Sequence, residues 1–305
     1  MILCIGEILV DMIGEEQAGV FSYQRKAGGA PFNVACALAR FQADAIFVGS
    51  VGQDIIGNFL IEYSKTKGLK EVHIRQDSKR NTTLAFVELD SCGERSFCFY
   101  RKNTADYILP EISEDLLKKA HIVHIGSLML SEEAGVEYAK QLIQRAHALG
   151  KLISFDVNFR TDIFRNTIQA ISIYKEIIEL ADIVKLSMDE VDIFQEEYID
   201  KELCDKLVCI SLGKDGSIFN YKDIKERIPS IQVNSIDTTG AGDAFYAGIL
   251  SKLDGYSKQE WTKELLRNAF KFGNVCGALN TLGKGAIDHL PNLEDVINYM
   301  KKLES

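Results

Sequence analysis

Residues 237–245 read DTTGAGDAF, directly after the β-rich run Ile231–Val233 and at the head of a stretch in which Ala247, Ile249 and Leu250 are apolar. The spacing predicts a strand, a glycine turn and then a helix. Gly240 and Gly242, with Ala241 between them, let the backbone turn with no side chain in the way, so several N–H groups can converge at the positive end of that helix. Such a turn makes an anion hole. Asp243 then falls in the first helical turn, where a carboxylate beside a bound phosphate can take the proton of a hydroxyl attacking it. Taken without its neighbours, a Gly-x-Gly followed by Asp also reads as a glycine turn with a helix-capping Asp.

Outward from this motif the chain alternates apolar strands with amphipathic helices. HIVHIGS (121–127), KLISFDVNF (151–159), DIVKLS (182–187) and KLVCISLG (206–213) read as strands, separated by helical stretches such as EEAGVEYAKQLIQRAHALG (132–150). WTKELLRNAFKFGNVCGALNTLG (261–283) reads as one long helix. This order predicts an α/β fold, a mostly parallel sheet covered by helices on both faces in three layers. Met1–Ile13 reads as a buried strand broken at Gly6-Glu7, and residues 14–30 read as turn-rich. Pro31 suits the first position of a helix, and Asp54 suits the cap of another. TTLAFVELD (82–90) and ERSFCFYR (94–101), joined through SCGE, read as a β hairpin. With no linker or internal repeat, residues 1–305 are expected to form one domain, with a small β lid from about 11–30 and 81–107.

The bulk numbers fit an enzyme of this kind. A chain of 305 residues that is 46% hydrophobic and 26% charged can bury a large core. The net charge of −9, with no compensating basic stripe, argues against nucleic acid as a partner. The seven cysteines are scattered with no C-x-x-C pair, so they read as small buried residues and not as a disulfide framework or zinc site. The five histidines show no metal spacing, and His121 and His124 read as structural. MILCIGEILVDMIG has no basic leader and carries Glu7 and Asp11 in its apolar run, so neither a signal peptide nor a membrane span is expected and the cytoplasm is the expected compartment.

Asp237–Asp243 matches every position of D-T-x-G-A-G-D and so resembles the signature of the ribokinase-like, PfkB-type carbohydrate kinases. The resemblance runs along nearly the whole chain in order, and it implies ATP, Mg2+ and a sugar as ligands, with Asp243 as the base and Gly240–Gly242 as the anion hole. AGGAPFNVACALARF (27–41) is similar to the other signature, which implies sugar contacts at Gly28, Gly29 and Asn33. Asp11 falls where the family binds sugar hydroxyls, and FYRKNTAD (99–106) resembles a lid segment whose Arg, here Arg101, reaches the sugar. DVNFR (156–160) is similar to D-x-N-x-R, implying roles near sugar and phosphate for Asn158 and Arg160. KLSMDE (185–190) falls where the family has N-x-x-E, implying Lys185, Ser187 and Glu190 on the ATP and magnesium side. It departs from the pattern by having Ser for Asn, as fructokinase-like members do. SLGKDGS (211–217) resembles the nucleotide-side turn, implying Ser211, Gly213 and Gly216, with Asn274 bordering the adenine. A potassium ion is implied at residues like Asp237 and Thr239, together with a loop at about 280–285.

For several of these residues the bland alternative is a turn former, an edge charge or a solvated helix Asn. A dinucleotide-binding dehydrogenase is disfavoured because Phe245 replaces the third small residue of G-x-G-x-x-G and Glu260 does not end a strand. A P-loop is disfavoured because Gly285, not Ser or Thr, follows Lys284. The expected activity is transfer of the γ-phosphate of ATP to a primary sugar hydroxyl, with fructose first among the substrates. Ribose, 2-keto-3-deoxygluconate and aminoimidazole riboside remain alternatives, as does a non-catalytic sugar-binding protein. A homodimer through the lid is expected because an exposed hairpin gains by pairing.

Overall fold

The computed structural model describes residues 1–17, 19–89, 95–164 and 166–304. Its strands are β1 (Ile2–Ile5), β2 (Leu9–Gln17), β3 (Val20–Gly28), β4 (Ala45–Gly52), β5 (Glu71–Asp77), β6 (Leu84–Leu89), β7 (Arg95–Tyr100), β8 (Ile122–Ile125), β9 (Leu152–Asp156), β10 (Ile183–Ser187), β11 (Leu207–Ser211), β12 (Ser217–Tyr221) and β13 (Ile224–Ile228). Nine of them form one sheet in the order β13-β12-β11-β10-β9-β8-β1-β4-β5. The pairings from β11 through β5 are parallel, and β12 and β13 add antiparallel strands at one end. The central strands are continuous apolar runs such as ILCI and LVCIS because helices cover both faces, each over its own buried cluster. The α/β, three-layer reading holds.

Four strands form a second, smaller sheet in the order β3-β2-β6-β7. The chain crosses from one sheet to the other at Gly6-Glu7-Ile8, so the broken first strand of the sequence reading is two strands in two sheets. Residues 14–30, read as turn-rich, are mostly paired: β2 and β3 run antiparallel from Leu9↔Gly28 to Gln17↔Val20. Their pattern misleads because the outer part of β3 is exposed, so burial imposes no alternation on it. The second hairpin, β6 with β7, is as read, although its turn at 91–94 and Asp90 lie outside the described residues.

Local signals place the helices. Pro31 occupies the first turn of the helix Ala30–Arg40, and the Asp54 carboxylate accepts from Gly57 N at 2.7 Å at the start of Ile55–Lys65. Cys4, Cys36, Cys209 and Cys276 are buried as read, whereas Cys98 and Cys204 are exposed; Cys92 lies outside the described residues. His124 is buried in β8 with Nδ1 3.1 Å from Ser154 Oγ, and His121 Nδ1 accepts from Gly255 N, so both are structural. Among the described residues no helix is long and apolar enough to cross a membrane.

Candidate active site

The helix Ala241–Leu253 begins at Gly240, whose φ of 73° puts it in the left-handed region. A Cβ there would lie 2.6 Å from Ala286 Cα, so position 240 requires glycine for space as well as for conformation. This turn lies where two cavities meet. A smaller one of about 330 Å³ lies toward the small sheet, and a larger one of about 430 Å³ lies toward β12 and the helix Lys263–Asn280. Thr238 and Gly242 line both. A molecule in one cavity can therefore meet a molecule in the other only across the helix N-terminus, where developing negative charge is best held.

Asp243 lines the smaller cavity at this junction. Its Oδ2 accepts from Asn33 Nδ2 at 2.8 Å, which fixes the carboxylate against the helix Ala30–Arg40. Burial, then repulsion from Asp156, pushes its pKa up to about 6, while Asn33, Lys185 and Arg160 pull the other way. Lys185, in the middle of β10, donates to both Asp156 oxygens at 2.8 and 2.9 Å. Burial opposes its charge, but Asp156 and Glu190 outweigh burial and hold the ammonium above its ordinary pKa. Asp243 thus sits among fixed charges of both signs, with a pKa close enough to neutral pH for a carboxylate there to accept a proton and later release it.

The structure brings most of the expected residues to these two cavities. Asp11, Gly29, Asn33, Asn158 and Arg160 line the smaller one with Lys185, Gly240, Gly242 and Asp243. Gly28 stands behind Asp11, since a Cβ there would lie 2.4 Å from Asp11 Oδ2. Ser211, Gly213, Gly216, Ala241 and Asn274 line the larger one. Asn274 Nδ2 donates to the carbonyls of Ile228 and Pro229 at 3.1 and 3.2 Å, so its amide nitrogen anchors the end of β13 and is not simply solvated. Asp237 Oδ1 accepts from Thr239 N and Oγ1, both at 2.7 Å, and its Oδ2 accepts from Gly285 N at 2.9 Å, tying the glycine turn to the loop after residue 280.

Five expected residues, Gly28, Asp237, Arg101, Ser187 and Glu190, line neither cavity, and Lys185, expected on the ATP side, lines the smaller one. Arg101 is buried in an ion pair with Asp106 at the root of the small sheet and does not line the cavity of Asp243. Ser187 and Glu190 form a capping box at the helix Met188–Phe194, which their S-x-x-E spacing signalled. Glu190 lines neither cavity; its Oε2 accepts from Ser187 N at 2.7 Å and its Oε1 from Phe159 N at 2.6 Å, which shapes the loop carrying Asn158 and Arg160. Conversely, Glu7, Phe99 and Leu128 line the smaller cavity without having been singled out. Glu7 is buried, its pKa pushed up to about 8 chiefly by that burial, and its Oε1 accepts from Ala30 N at 3.1 Å. A carboxylate inside the apolar run of the first strands was the available signal.

Residues 1–293 match the model described as pfkB family carbohydrate kinase. Probable fructokinase-5 of Arabidopsis thaliana is 36% identical over 317 residues, covering 99% of this chain and 97% of that protein. Fructokinase-2 of Oryza sativa subsp. japonica is 36% identical over 311 residues, covering 96% and 91%. Among solved structures, fructokinase with bound ATP from Xylella fastidiosa superposes with a TM-score of 0.92 at 29% identity, covering 100% of this chain and 99% of that one. A double-mutant fructokinase from Vibrio cholerae O395 with fructose, ADP and potassium ion bound gives 0.87 at 29% identity, covering 98% and 97%. With the glycine turn, the base and the two meeting cavities in place, this chain belongs to the pfkB family of carbohydrate kinases.

Proposed function

We propose that the protein transfers the γ-phosphate of ATP to the primary hydroxyl of fructose, giving fructose 6-phosphate. The observation that carries this reading is Asp243, hydrogen-bonded by Asn33 and set at the helix N-terminus shared by both cavities. The sugar occupies the smaller, more polar cavity and the nucleotide the larger one, beside the Ser211–Gly216 turn. Asp243 is largely ionised at neutral pH and takes the hydroxyl proton as oxygen attacks phosphorus. The N–H groups of Gly240–Gly242 receive the transferred group, with Arg160 and Lys185 supplying positive charge. Fructose is preferred over the other sugars because the relatives carry that name.

Magnesium fits as a companion of the nucleotide. Among the described residues no three His, Cys, Asp or Glu side chains converge on a metal position, and Glu190 has both oxygens committed to backbone N–H groups. When bound with the nucleotide, magnesium would offset the phosphate charge. A potassium ion fits the loops around Asp237, Thr239 and Asn280, where Asn280 Oδ1 is buried with no hydrogen-bond partner in the protein. The small sheet, from about 11–30 and 81–107, acts as a lid on a single working unit and pairs with that of a second copy. Buried free thiols at Cys4, Cys36, Cys209 and Cys276 suit the reducing cytoplasm.

ADP release measured with Mg-ATP and potassium against fructose, ribose, 2-keto-3-deoxygluconate, adenosine and aminoimidazole riboside tests the proposal. Fructose should be turned over best, and Asp243→Asn should lower kcat by about 10²–10⁴-fold. Preference for another sugar would replace the substrate, and activity persisting in the Asn variant would remove Asp243 as the base.

A further inference from the structure

We propose that Arg101 and Asp106 are a positioning pair that sets the apolar wall of the sugar cavity without touching the sugar. This rests on the reading of the smaller cavity as the sugar site. That cavity is polar on the side of Asp11, Asn33 and Asp243, and apolar where Phe99 of β7 and Leu128 meet it. Phe99 and Leu128 belong to one small cluster with Leu9, Ala85 and Ile163, separate from both main cores. Neither main core fixes their distance from the sugar, so a local device must do so.

Asp106 is that device's anchor. It is 2% exposed and accepts from Thr83 Oγ1 at 2.5 Å, Thr104 Oγ1 at 2.6 Å and Arg101 Nε at 2.6 Å. Thr83 immediately precedes β6 and Arg101 immediately follows β7, so one carboxylate closes both legs of that hairpin at its root. Arg101 carries the connection on to the turn Leu128–Ser131. Its Nη1 donates to Ser131 Oγ at 2.6 Å, and that hydroxyl donates to Leu128 O at 2.9 Å. The guanidinium also lies over the Tyr107 ring at 4.0 Å, and Tyr107 OH donates back to Arg101 O at 2.8 Å. Phe99, two residues from Arg101, and Leu128, three from Ser131, are therefore tied to one rigid fork. A lysine has no fork to span both partners.

The test compares Arg101→Lys, Asp106→Asn, Ser131→Ala and Ser131→Thr with the wild type, reading KM for sugar, KM for ATP, and ATP hydrolysis with no sugar present. Arg101→Lys and Asp106→Asn should each raise the sugar KM about tenfold with the ATP KM within about twofold, and raise the sugar-independent hydrolysis as the wall admits water. Ser131→Ala cuts the link from Arg101 to Leu128 and also takes an acceptor from the buried guanidinium. It should raise the sugar KM about threefold and lower the melting temperature, and Ser131→Thr should restore both. A sugar KM raised by Arg101→Lys but unchanged by Ser131→Ala would overturn the proposal. If Arg101→Lys fails to fold, the two Ser131 variants decide. A wild type that phosphorylates no sugar of the panel would overturn the reading of the cavity and this inference with it. A wild type that turns over while its Ser131 variants match it would overturn this inference alone.

Discussion

The Asp243 carboxylate accepts its 2.8 Å hydrogen bond from Asn33 in a setting where burial and Asp156 both oppose its charge. Its pKa in the folded chain, about 6, therefore lies above its ordinary value of 3.8. For an acid shifted this way, the stabilising contribution is complete below the unfolded pKa and is lost as pH rises through the folded one. At neutral pH the charge that we propose acts in catalysis thus costs stability. Asp243→Asn should melt higher than the wild type by about 2 °C or more near pH 7.5, with the gap closing as the pH falls from 6 toward 4, measured by scanning calorimetry. An equal Tm at both ends of that range would mean that the charge is already compensated. The same geometry fixes a kinetic sign. Asn33 stabilises the charged form, so Asn33→Ala should move the acid limb of kcat/KM to higher pH, whereas a residue that only contacts sugar would leave the limb in place.

At the scale of elements, the helix bearing Asp243 crosses Lys263–Asn280 through paired glycines. A Cβ on Gly248 would lie 2.9 Å from Gly273 Cα, and one on Gly273 would lie 2.7 Å from Phe245 O. Phe245, Asn274 and Gly277, on the two crossing helices, line the larger cavity, which we propose holds the nucleotide, so the crossing distance sets its width. Gly273→Ala should cost about 1–3 kcal/mol of stability and raise the KM for ATP more than that for sugar. An unaltered ratio of the two KM values would show that the helices part elsewhere. Both helices were legible from apolar spacing and the glycine turn, and so was the polar floor of the site, because its residues lie within short motifs. What stayed hidden depends on distance along the chain. Glu190 spends an oxygen on Phe159, 31 residues earlier, and Arg101 finds one of its partners, Ser131, in a turn 30 residues later. The polar edge strand β5 and the exposed part of β3 lack the burial that makes a strand readable.

For the whole molecule, the small sheet has two faces with different fates. On one face Ala85 and Phe99 join the small apolar cluster, and Phe99 lines the cavity that we propose holds the sugar. On the other face Phe21, Tyr23, Phe86 and Tyr100 form a row of edge-to-face rings with centroids 5.0–5.2 Å apart. That row is open to solvent, with Phe21 53%, Tyr23 38% and Tyr100 63% exposed. Aromatic rings bury about 150–250 Å² each when covered, so two such rows face to face would supply much of the roughly 1,200–2,000 Å² of a specific interface. β3 and β7 are the edges of this sheet. We propose that a second copy of the chain covers the aromatic row by two-fold symmetry, bracing each lid from outside while the Arg101–Asp106 pair braces it from the root. Sedimentation velocity at micromolar concentration should therefore show a dimer for the wild type and a monomer for the double variant Phe21→Ser with Tyr100→Ser. The monomer should keep its KM for ATP but need several-fold more sugar for half-saturation, because only the lid loses support. A wild type that sediments as a monomer throughout, or a double variant that remains dimeric, would place the contact elsewhere and leave the aromatic row as bare surface.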